Sequence, residues 1–198
     1  MARLSHSEAR KIVQDAWTRV HGRAPSERET LYTQAIALFE TGYGRAGQFG
    51  LLSDKGLYNW GALHGRINAD GSCPQGTAPG TDIRRVCFLV FPSDVEAAAA
   101  YIQRLTKTYW PTIEAMRGSP EDVARAMRKS PAYYEGFPGS EESKIATYAN
   151  AIRGSVKSIG GNLATASAET GNSLIPALLL LSSLGAIGYT VAKQRRWI

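Results

Sequence analysis

Cysteine, histidine and methionine are scarce in this 198-residue chain, at two, three and three residues. Cys73 and Cys87 are too few for a disulfide-built scaffold, or for a zinc site made of four thiolates. His6, His21 and His64 show no metal-ligand spacing such as H-E-x-x-H, so no metal and no cofactor is expected. Charge is also sparse, at 20%. Lys and Arg number 23 against 17 acidic residues, but Lys193, Arg195 and Arg196 fall at the very end, so half of the net +6 is a basic tail. The remaining cations are not clustered, which argues against a nucleic-acid-binding face. The N-terminus has no apolar core of roughly 7–15 residues, so no secretory signal peptide is read there. No internal repeat is visible. Disorder is excluded by a hydrophobic content of 43%.

One long uncharged run is present near the C-terminus. Residues 170–192 carry no charged side chain, and 174–192 read L-I-P-A-L-L-L-L-S-S-L-G-A-I-G-Y-T-V-A. As a helix this stretch measures about 28 Å, enough to cross a hydrocarbon core. Pro176 falls in its first turn, the basic tail 193–198 follows at once, and Tyr189 and Trp197 suit a membrane interface. Residues 173–192 are therefore expected to be a transmembrane helix and lipid its partner. Small and polar residues dominate 154–172, a linker composition. The body, 4–153, is long enough for one domain.

Helix starts are plainly written in the body. Ser5 and Glu8 form a capping box before an apolar stripe through Val13 and Trp17, which Gly22 ends. Ser26 and Glu29 cap a second helix, ending near Gly42. Ser93 and Glu96 cap a third, and Ser119 followed by Pro120 opens a fourth. A fifth is expected over 141–153. Between the second and third helices the texture changes. Residues 42–82 hold half of the glycines, and 84–91 (R-R-V-C-F-L-V-F) read as a strand. A preceding strand through 66–68 would complete a long irregular hairpin. The predicted class is α+β, with helices flanking a small β lobe and a cleft between them.

Glu40 is the candidate for chemistry. It lies at the end of an apolar helix, where the negative end of the helix dipole disfavours a carboxylate. Apolar neighbours such as Phe39 desolvate it, and both effects raise its pKa. A carboxylic acid that keeps its proton near neutral pH is what a glycosidase needs to protonate a leaving oxygen. The plainer alternative is a surface glutamate at a fraying helix end.

The sequence around Glu40 adds weight. Residues 34–45 read Q-A-I-A-L-F-E-T-G-Y-G-R, and 58–65 read Y-N-W-G-A-L-H-G. This resembles the lysozyme-like endo-β-N-acetylglucosaminidases of glycoside hydrolase family 73, the bacterial autolysins and flagellar peptidoglycan hydrolases. Their pattern is A-x-x-E-[ST]-G-[WY]-G, a loop, then N-N-[LW]-[FG]-G-I-[KQ]. The similarity continues through Phe91, Ser93, Glu96, Tyr101 and Leu105. Thr108 and Tyr109 stand where the family has an R-Y pair. It closes with Tyr133, Tyr134 and then 145–148 (I-A-T-Y), and spans about 28–153. Each motif is short; their order and spacing carry the resemblance.

The resemblance implies a lysozyme-like helical domain over 4–153 with a small β-hairpin lobe, acting on the peptidoglycan glycan strand. Glu40 would be the general acid. Asn59 would close the cleft beside it, and Tyr101 and Tyr109 would line the groove, although a core role suits each equally. Tyr43, Trp60 and Trp110 could stack on sugar rings or pack internally. His64 fits a groove-lining or hydrogen-bonding role. The second carboxylate is the weak point: the loop 64–84 offers only Asp70 and Asp82. Carboxylate separation would decide inversion or retention. The substrate's own acetamido group, or attack by its 6-hydroxyl, would remove the need for a second acid. Hydrolase and lytic transglycosylase both remain open. Cys73 and Cys87 could pair across the hairpin or stay free.

The basic tail predicts a cytoplasmic C-terminus and an external body, yet no signal peptide is read. That combination suits a wall-degrading component of a bacteriophage virion with an internal membrane, or an enzyme released at lysis. Localisation to a virion membrane or the host envelope is the expectation. The competing reading is a non-catalytic wall-binding or structural membrane protein on the same fold.

Overall fold

A computed structural model describes residues 4–65, 68–70, 72–79, 86–108, 111–129 and 138–166. The architecture is α+β: a helical body carries one small antiparallel sheet. The predicted caps form as read. Helix α1 spans His6–His21, with Ser5 and Glu8 in a reciprocal capping box and Gly22 left-handed at the C-cap. Helix α2 spans Glu27–Thr41 with the same device at Ser26 and Glu29, and ends on a left-handed Gly42. Arg23 grips Glu29 with both nitrogens, at 2.8 and 2.6 Å, locking this N-terminus. Helix α4 spans Asp94–Gln103 behind Ser93, and α6 spans Pro120–Arg128 behind Ser119.

Helix α2 is the axis of the molecule. Residues 29–37 are buried on all sides, because α1 packs on it from one direction and α7, Glu141–Ser158, from another. A helix buried all round carries no clean polar stripe. Helix α4 lies against α1, and α6 against α7. The core joins Val13 and Trp17 of α1, Tyr32 and Ile36 of α2, Ile102 of α4, Met127 of α6, and Tyr148 and Ile152 of α7. Arg28 ties the start of α2 to the carbonyls of Met116, Gly118 and Leu163.

Several elements differ from expectation. Helix α7 runs on to Ser158, five residues into the stretch read as linker, and Val156 there is buried. Gly161 then packs on Leu31, so the chain stays on the body beyond the helix. The short helices α3, Gln48–Ser53, and α5, Pro111–Ala115, and a π-helical turn over Arg104–Thr108, had no sequence signal. The β lobe is three-stranded rather than a hairpin. Strands β1 (His64–Gly65) and β2 (Thr77–Pro79) both pair antiparallel with β3 (Cys87–Leu89), in the order β1-β3-β2. Of the expected strand 84–91, Cys87–Leu89 is strand and Phe91 makes a separate bridge to Tyr58, while 84–85 lie outside the described residues. Residues 66–67 of the other expected strand lie outside the described residues. Cys73 and Cys87 form a disulfide that staples the loop to β3. No helix among the described residues is long and apolar enough to cross a membrane. The expected span 173–192 and the tail 193–198 lie outside them.

Candidate functional site

Glu40 sits in the last turn of α2, where the axis meets the β lobe. The junction is built by the next four residues. Thr41 is buried; its hydroxyl donates to the Trp60 carbonyl at 2.6 Å and accepts from the Gly44 amide at 3.0 Å. Gly44 has φ +72°, and a Cβ there would stand 2.9 Å from the Asn59 carbonyl oxygen. The E-T-G-Y-G run and the N-W-G run are thus pressed together backbone to backbone.

Asn59 holds the second run in shape. It is fully buried, and all four hydrogen-bonding positions of its amide are used. Its oxygen accepts from Gly61 and Leu63 amides, and its nitrogen donates to the Leu63 and Leu89 carbonyls at 2.9 and 2.8 Å. A saturated, buried amide has nothing left for a sugar. Asn59 positions the loop and β3 rather than contacting substrate. Trp60 is likewise fully buried, and its indole N–H donates to Asp94 at 2.9 Å. Asp94 also pairs with Arg45 at 2.8 Å, fixing the loop after Glu40 to α4. Tyr43 is buried against Trp60, and its hydroxyl meets His6 Nδ1 at 3.1 Å. Burial pushes its phenol up to about 12. Neither ring has a face to offer a sugar, which favours the internal packing that the sequence left open beside stacking.

Tyr101 is buried as well, its ring lying where a Gly61 side chain would be. This favours the core role over groove lining. His64 is exposed on β1, edge-on to Phe88. Tyr109, Trp110 and Asp82 lie outside the described residues. Asp70 is exposed, and its carboxylate accepts from the Ser72 hydroxyl and amide at 2.6 and 2.9 Å. Those bonds hold it below the usual carboxylate range. No hydrogen bond joins Asp70 to Glu40.

The partner of Glu40 comes from the far end of the body. Tyr148 on α7 donates its hydroxyl to Glu40 Oε1 at 2.7 Å. Its ring meets Phe39 edge-to-face, with centroids 5.4 Å apart. Glu40 keeps a partial opening to solvent, yet the protein around it strips enough water to raise its pKa to about 7. Desolvation is the larger cause, and the Tyr148 hydrogen bond opposes it. Two non-glycine residues among those described have left-handed backbone, Tyr43 (φ 59°) and Ala62 (φ 49°). Tyr43 lies within the first run and Ala62 directly after the second, and such strain concentrates where a site must be held in shape. A largely desolvated carboxyl that exchanges its proton near neutral pH can act as a general acid and then as a base. A cleft of about 480 Å³, lined by Arg19, Phe91, Glu96 and Lys107 among others, does not include Glu40. No group of three or more His, Cys, Asp or Glu among the described residues could hold a metal.

No family model, curated protein or solved structure matches this chain.

Proposed function

We propose that this chain is a lysozyme-like glycosidase that cleaves the peptidoglycan glycan strand, with Glu40 as general acid. The observation that carries the reading is the Glu40 carboxyl itself. It is desolvated to a pKa of about 7, held by the Tyr148 hydroxyl, and set at the junction of a helical body and a β lobe. Lysozyme-like chemistry needs such an acid in such a place.

Glu40 gives its proton to the glycosidic oxygen as the C–O bond breaks, and the leaving sugar departs as an alcohol. The oxocarbenium-like centre is then captured in one of two ways. Attack by the substrate's own 6-hydroxyl closes an anhydro ring, and the hydroxyl proton returns to the Glu40 carboxylate. Attack by water gives a reducing end, with the proton returned likewise; the acetamido group can assist first. Neither route needs a second carboxylate, which suits the engagement of Asp70 with Ser72. The primary assignment is N-acetylglucosaminidase, with muramidase and lytic transglycosylase as its close variants.

The disulfide supports a body that works in an oxidising compartment, outside the cytoplasm, where the wall polymer lies. A C-terminal membrane anchor over 173–192 would hold it there, as a virion component or a lysis enzyme. The same engagement of Asp70 favours one rival, a wall-binding module without catalysis.

Mass spectrometry of peptidoglycan digested by the intact chain, beside Glu40→Gln, tests the reading. Reducing GlcNAc ends identify a glucosaminidase, and reducing or anhydro MurNAc ends one of the variants. All should fall about a hundred- to ten-thousand-fold in Glu40→Gln. No new ends from the unaltered chain would leave the wall-binding module.

A further inference from the structure

The aromatic rings that the sequence offers as sugar platforms, Tyr43 and Trp60, are buried. One aromatic beside Glu40 is not. Phe39 is 40% exposed, although it belongs to the helix whose residues 29–37 are wholly buried. The other large exposed apolar side chain among the described residues is Leu51, on α3. Leaving a phenylalanine in water forgoes a large share of the stabilisation its burial would give.

The position of the Phe39 ring is set by Tyr148. That tyrosine touches Phe39 with its ring, at 5.4 Å between centroids and an interplanar angle of 86°, and Glu40 with its hydroxyl, at 2.7 Å. One buried side chain therefore fixes both the exposed ring and the acid, and keeps them within reach of one short oligosaccharide. Pyranose rings present apolar C–H faces, which pack well on an aromatic surface.

We propose that Phe39 is the platform on which a sugar of the N-acetylated glycan strand stacks next to the bond that Glu40 protonates. This rests on the glycosidase reading and names the residue that holds a sugar ring beside the acid. A different role is open to any apolar residue at 39: excluding water from Glu40. Leucine can do that as well as phenylalanine, but it cannot stack.

The test uses the intact chain carrying Glu40→Gln, which binds without turning over, titrated calorimetrically with chitotetraose. Adding Phe39→Leu should weaken binding about tenfold, while adding Phe39→Tyr should leave it within about twofold. Thermal unfolding midpoints of the three proteins should differ by a few degrees at most, because Phe39 is partly exposed and its loss removes only the ring contact with Tyr148. Equal binding by the Phe39→Leu protein would overturn the platform. So would equal weakening by leucine and tyrosine, or no binding by the parent. The two proposals fail separately. If the unaltered chain releases no new glycan ends but binding still depends on an aromatic at 39, Phe39 holds a sugar without catalysis and the glycosidase falls. If it releases ends and leucine binds as well as phenylalanine, the glycosidase stands and the platform falls.

Discussion

Two opposed influences act on the Glu40 carboxyl. Desolvation favours its protonated form, and the Tyr148 hydroxyl, by donating to it, favours the carboxylate. Desolvation wins, leaving a pKa of about 7. The sign of a Tyr148→Phe effect follows. Without that donor the carboxylate loses its partner, so the pKa of Glu40 rises further. The alkaline limb of kcat should therefore move to higher pH, while kcat itself falls because the acid is no longer oriented. A pH–rate profile of the variant checks both. An alkaline limb moving to lower pH would mean that Tyr148 does not donate to Glu40. The raised pKa was legible from the sequence through desolvation; the helix dipole that the sequence also suggested is not among its causes. The residue that tunes it was not. Tyr148 lies 108 positions away, and only its place in the closing I-A-T-Y motif hints at a role.

At the scale of elements, the two motif runs work as one joint. Thr41, Gly44 and Asn59 lock α2 to the β lobe, and Gly61 lets the loop pass under the buried Tyr101 ring. A Cβ at Gly61 would stand 2.0 Å from that ring. Gly61→Ala should therefore cost about 1–3 kcal/mol of stability, read as a lower urea midpoint. An unchanged midpoint would mean that the loop is free to shift. Helix starts were legible because N-caps are local: Ser5, Ser26, Ser93 and Ser119 each fix one within four residues. Aromatic roles were not, because a ring that stacks on a sugar and one that fills a core have the same composition around them. Tyr43 and Trp60 proved to be core residues, and among the described residues the exposed large aromatic was Phe39. The sheet was hard to read for a related reason. Its described strands are two and three residues long, too short for alternation to show.

For the whole molecule, the disulfide is the one covalent tie between the glycine-rich loop and the central strand β3. Closing a loop of 14 residues restricts the unfolded chain and contributes about 3 kcal/mol. Cys73→Ser with Cys87→Ser should lower the thermal midpoint accordingly, and a reductant should lower it in the unaltered chain alone. Equal midpoints would show that the tie adds nothing to the fold. The pairing itself was open at the level of sequence, since two cysteines fourteen apart are compatible with free thiols. The measurement that bears most directly on the whole account is the pH dependence of glycan-end release by the intact chain, from about pH 5 to about pH 9, beside Glu40→Gln. A general acid with a pKa of about 7 predicts activity that declines as pH rises through that value and is lost in the glutamine variant. Activity that keeps rising above it, or that survives Glu40→Gln, would contradict the assignment.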